Sequence, residues 1–278
     1  MYFGWIEFMR KKVMNAAVMS LIAGAIGGLL RYFYLTRAVE PDTGLPVLGS
    51  APHLALVIFT VFVVLLVLAT SYITGKYFSM KNNFRDIIAP VNTLYRVTTG
   101  ISALLIFVAG VMGIVPAING GSVSYSALIQ AVLIALAGAA LIGMSHEFSG
   151  VKPLRGAYAF SIIPEIAVTF WLLIYYRTTQ INPTMLTYVF RSLALAASVF
   201  AFYFTAASVY GRNATARFMF SHCAAIYFLI MSLADSITVS NKLCFAGLAL
   251  YFTVNLSRFI ANLIPRKKPQ QTAKSENT

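Results

Sequence analysis

Residues 54–75 read LALVIFTVFVVLLVLATSYITG, 22 positions without a charged side chain, and Lys76 follows at once. Wound as a helix at 1.5 Å per residue, the run is roughly 33 Å long. That is enough to cross a hydrocarbon core about 30 Å thick. Seven further runs, near 13–35, 97–116, 125–145, 157–176, 186–209, 216–235 and 243–263, are long and apolar enough to do the same. The runs are continuous, whereas a transmembrane barrel needs short alternating strands of about ten residues. Helices are the remaining way to satisfy the backbone in lipid. The expected fold is therefore an all-α, polytopic bundle of eight transmembrane helices. Hydrophobic residues make up 59% of the 278 and charged residues 10%, which is too apolar for a soluble domain to cover its surface.

The cations between the runs set an orientation. Alternate connections hold Arg10, Lys11, Lys12, Lys76, Lys81, Arg85, Arg96, Lys152, Arg155, Arg212, Arg217, Arg258, Arg266, Lys267, Lys268 and Lys274. The opposite connections hold only Arg31, Arg37, Arg177 and Lys242, and Arg191 lies within a span. The positive-inside rule then predicts both termini in the cytoplasm, with 36–53, 117–124, 177–185 and 236–242 outside. The net charge of +13 is explained by a basic girdle meeting anionic lipid headgroups at the cytoplasmic face, so no nucleic-acid partner is implied. The organisation expected is one bundle over 1–264 and a polar, disordered cytoplasmic tail over 265–278. Met1 to Met9 is read as an interfacial segment, and the first span as a retained signal anchor.

Helix packing is legible in small residues spaced by four. Span one carries Ala16, Ser20, Gly24 and Gly28; span four carries Ala127, Ala131, Ala135, Ala139 and Gly143. Such stripes let helix backbones approach closely, within one chain or between the copies of a homo-oligomer or a membrane-protein partner. Tyr34, Thr36, Arg37 and Pro41 echo Tyr176, Arg177, Thr178 and Pro183, and Tyr72, Gly75 and Lys76 echo Tyr210, Gly211 and Arg212. These echoes suggest a four-plus-four parallel repeat.

Chemistry is to be sought among polar groups that the bilayer makes expensive. Glu165 follows Pro164 in span five, His222 lies in span seven, Arg191 near the outer end of span six and Asp235 near the outer end of span seven. From helical rise, Glu165 lies roughly 12 Å and His222 roughly 9 Å from the cytoplasmic edge. Shared depth predicts two pairs, Glu165 with His222 and Arg191 with Asp235. Arg191 could equally snorkel to the headgroups.

Catalytic motifs are lacking. His146 and Glu147 have no second histidine to complete HExxH, and there is no nucleophile elbow, P-loop or dinucleotide fingerprint. The eight acids are scattered, so no metal site is expected, no cofactor is implied, and catalysis is disfavoured. Cys223 and Cys244 belong to opposite depths and are not expected to pair. Asn213-Ala214-Thr215 spells a glycosylation sequon on the cytoplasmic side, where it has no meaning.

Leu30, Arg31, Tyr34 to Arg37, Glu40 through Pro46, Tyr175 to Arg177, Asn182-Pro183, Phe202-Tyr203, Tyr210 to Arg212 and Leu233 to Asp235 together resemble a group of multi-pass membrane proteins encoded in anaerobic, Clostridia-type Firmicutes. That group carries no known activity. The resemblance implies a bacterial plasma membrane and transfers no functional residue. Three functions follow as expectations: a non-catalytic accessory, sensor or assembly bundle; a small-molecule or ion transporter with a buried site around Glu165; and, third, a membrane-embedded lipid-modifying enzyme.

Overall fold

Long apolar runs bounded by turn formers become helices of nearly the expected lengths. The computed structural model describes residues 15–40, 42–43, 45–47, 49–81, 86–87, 92–119, 124–149, 155–179 and 185–266. Its helices are α1 (Ala16–Arg37), α2 (Ala51–Tyr77), α3 (Thr93–Asn119), α4 (Tyr125–Ser149), α5 (Arg155–Thr179), α6 (Met185–Val209), α7 (Thr215–Ser232) and α8 (Val239–Ala261). All eight are long and apolar enough to cross a membrane. The chain is an all-α polytopic helical bundle. The interfacial segment expected over 1–9 and most of the tail expected over 265–278 lie outside the described residues.

Helix α7 is the hub. Its spanning window is 72% buried, that of α8 61%, and that of α2 only 28%. Around α7 and α8 the remaining helices follow one another: α6 packs on α7, α5 on α6, α4 on α5, α3 on α4 and again on α8, while α1 and α2 lie against the other flank of α7. The two halves do not pack alike. Helix α6 makes an extensive interface with α7, but α2, its counterpart in a four-plus-four repeat, makes no comparable interface with α3. Aromatic and basic residues gather at membrane edges in any polytopic protein, which accounts for the echo without a repeat.

The link between α6 and α7 is tight for a reason that its sequence shows. Gly211 has φ +78°, Arg212 N–H donates to the Ala207 carbonyl at 2.9 Å and Gly211 N–H to that of Ser208 at 3.0 Å. This is the Schellman arrangement, which favours glycine because the left-handed conformation penalises a Cβ. At the same end of the bundle, two short strands, β1 (Phe78–Ser79) and β2 (Ile264–Pro265), pair antiparallel. Pro265, placed at the start of the tail by the sequence, is thus held in a ladder. The Asn213 amide donates to Met80 O at 3.1 Å and to Ser79 Oγ at 2.7 Å, and Met80 N–H donates to Thr215 Oγ1 at 3.0 Å. The sequon residues therefore latch the end of α2 to the start of α7.

Small residues bring specific helices together. A side chain on Gly24 would come within 2.9 Å of Ile230 Cβ in α7, and Gly28 faces the Ile230 carbonyl and Met231. Ser20 is buried on the same face. In α4, Ala131 and Ala135 meet Gly110 of α3, while Gly143 faces the Phe160 ring of α5. Ala139 is exposed, contrary to the packing role expected of it; Gly138 makes the close approach to α3 instead, against Phe107 and Ala103. Four residues turn a helix through about 40° more than a full revolution, so a stripe at that spacing winds off its partner. Cys223 and Cys244 are both free and buried.

Candidate intramembrane charge cluster

The buried face of α1 is Ala17, Ser20, Gly24, Gly27, Arg31 and Tyr34, a spacing of three and four that places Arg31 on the glycine stripe facing α7. Arg31 is wholly buried. Its Nε donates to Asp235 Oδ1 at 2.9 Å. The charge pattern assigns Arg31 to an external connection, whereas the structure places it inside the bundle. Its carbon Cζ lies 4.9 Å from the Phe190 ring centroid and 5.2 Å from that of Tyr34. Aromatic faces at these distances attract a cation and take the place of water around it.

Asp235 stands three residues past α7, in the turn before α8. Its second oxygen, Oδ2, faces Arg191 Nη2 at 3.6 Å, an ionic contact too long for a hydrogen bond. Arg191 is 16% exposed, and its Cζ sits 5.2 Å from the Tyr175 ring. Two guanidiniums therefore share one carboxylate within the spanning region. Asp235 Oδ2, Arg191 Nε, Tyr34 Oη and Tyr175 Oη are buried without a hydrogen-bond partner. Buried polar atoms left in this state mark a place for water or a bound polar group.

The second expected pair does not form. His222 is fully buried, with Nδ1 2.8 Å from the Phe218 carbonyl and Nε2 3.3 Å from Thr205 Oγ1. Phe218 stacks on its ring at 3.9 Å, and Phe252 closes it edge-on at 5.3 Å. Both nitrogens are occupied, and no face is open. Glu165 is half-buried on a helix that packs mainly on α4 and α6, and it has no hydrogen bond or ion pair among the described residues. Helical rise says nothing of direction around the axis, and these two groups do not meet.

Arg31, Tyr34 and Tyr175 were not among the expected site residues. One signal was present: Arg31 sits inside the run 13–35, four residues after Gly27 and seven after Gly24, and so on the face that packs. Chemically, the cluster offers cationic and hydroxyl donors for an anion and no activated nucleophile. Among the described residues no three His, Cys, Asp or Glu side chains converge on a metal position. No protein-family model, curated protein or solved structure matches the chain.

Proposed function

We propose that this is a multi-pass protein of a bacterial plasma membrane, with its cation-rich end in the cytoplasm, that works by binding as an accessory, sensor or assembly bundle. The observation that carries this reading is the Arg31–Asp235–Arg191 cluster. Arg31 is wholly buried and holds α1 to the turn after α7 through its Nε bond to Asp235. Arg191 is held loosely, is partly exposed, and brings a positive charge that Asp235 does not cancel. Such a charge in low dielectric favours a second anion, and Arg presents a planar fork suited to carboxylate or phosphate. The site receives an acidic group at the external face.

Thermal unfolding of the detergent-purified protein, titrated with acetate and with phosphate at constant ionic strength, tests this. The midpoint is expected to rise with anion concentration in the native protein and to stay flat in Arg191→Gln. A flat titration in the native protein sinks the reading.

Glu165 supports a second reading, transport of a cation or proton, because a carboxylate with no partner in a span is a default candidate for an ion path. Reconstituted vesicles carrying Glu165→Gln would then lose cation or proton flux that the native chain supports. Equal flux through both, or none through either, removes transport.

A further inference from the structure

Helices α2 and α6 do not touch along most of their length, and α7 forms the floor between them. The gap is an apolar groove with two lobes, of about 450 Å³ and 400 Å³, that share Ala197, Phe200, Phe220 and Ala224. One lobe begins beside Phe228, and the other ends at Arg217, in the first turn of α7 at the cation-rich end. Eleven helical residues separate those two positions, about 17 Å of rise. Half of a hydrocarbon core about 30 Å thick is nearly the same length. The groove thus runs the depth of one leaflet and opens sideways to lipid.

Its polar end has a definite sign. Arg217 is exposed and has no ion pair among the described residues. Gly75 of α2 packs directly on Ala216, and the exposed Lys76 follows it at the same end of the bundle, its ammonium 5.6 Å from the Tyr77 ring centroid. In the groove wall Thr60 Oγ1 and Tyr227 Oη pair at 3.0 Å and Ser221 Oγ donates to the Phe218 carbonyl at 3.1 Å, while Ser71 Oγ, in the lobe that ends at Arg217, is buried without a hydrogen-bond partner among the described residues.

We propose that this groove is a binding site for one anionic phospholipid, an acyl chain lying along Ala197 and Ala224 and the headgroup phosphate meeting Arg217. The site is independent of the external charge cluster, which lies at the opposite end of α7.

The full chain, purified in mild detergent from membranes containing phosphatidylglycerol and phosphatidylethanolamine, is examined by native mass spectrometry. The native protein is expected to retain one phospholipid, enriched in phosphatidylglycerol over the bulk ratio. Arg217→Gln keeps the lipid but lowers that enrichment about fivefold, the effect of one basic residue near an anionic surface. Ala197→Phe fills the groove and loses the lipid while helicity and elution volume are unchanged. Should that variant fail to accumulate, Val64→Phe fills the same space from the α2 wall. A native protein stripped bare by detergent, a groove-filled variant that still holds its lipid, or an Arg217→Gln protein with undiminished enrichment would each overturn the proposal.

Discussion

Helices α1 and α2 lie side by side against α7, and the less apolar of the two packs better. Mean hydropathy is 1.6 for α1 and 2.9 for α2. Yet α1 seats Gly24, Gly27 and Gly28 directly on Tyr227, Ile230 and Met231 and adds the Arg31–Asp235 bond. Helix α2 seats a single glycine, Gly75, on Ala216 at its cation-rich end; along the rest of its length it presents Val63 and Val67 with one hydroxyl contact, and grooves of about 450 Å³ flank it on both sides. The hub itself makes the same point, since α7 has the lowest mean hydropathy, 1.2, and the highest burial. In lipid, apolar side chains gain nothing by leaving the solvent, so close approach and polar bonds decide which helices meet.

The sharpest way to break the contrast is Asp235→Ala. It strands Arg31 in a closed site, and losing one partner of a buried pair costs about 3 to 5 kcal/mol. Detergent unfolding should show that loss. The double change Arg31→Met with Asp235→Leu should recover most of it, because the desolvation cost of both charges disappears together. A single variant as stable as the native protein would mean that the pair does not hold α1.

Gly24→Leu comes next. A Cβ there already meets Ile230 and the Tyr227 carbonyl, and overpacking typically costs about 1 to 3 kcal/mol. Val64→Leu on α2, beside a groove, should change stability by less than its uncertainty. Equal responses at the two positions would erase the distinction between a tight and a loose flank.

The residues explain how far a sequence reading reaches here. Eight spans are legible because each must supply about 20 apolar residues in a row, and no tertiary contact can override that. Direction around the helix axis is not legible in that way, so Glu165 and His222, which helical rise assigns to one depth, face different neighbours. Ala139 is a case of the same ambiguity, since a four-residue repeat drifts away from its partner while looking regular in print. Charge pattern alone assigns Arg31 to a connection, but its position seven residues after Gly24 and four after Gly27 puts it on the face that packs. The centrality of α7 was written in its polarity, as Ser221, His222 and Ser232 on a span make sense only away from lipid.

The smallest expected effect tests the loose flank itself. Tyr227 touches both neighbours: its ring packs 3.1 Å from where a Gly27 Cβ would stand on α1, and its hydroxyl meets Thr60 of α2. Tyr227→Phe removes the second contact and keeps the first. Thr60→Val removes it from the other side with almost no change in shape. Interhelical hydrogen bonds in membranes average about 0.6 kcal/mol and reach about 1.7 in double-mutant cycles, so the coupling between these two changes should fall near the lower figure. A coupling near the upper figure would show that α2 is anchored to the hub as firmly by one hydroxyl as packing alone would allow, and the grooves beside it would then be rigid walls. A coupling near zero would leave the middle of α2 held by lipid in the grooves, with Gly75 on Ala216 and the latch at Phe78–Ser79 fixing its end. In that case the stability of α2 should follow the lipid content of the micelle, while that of α1 should not.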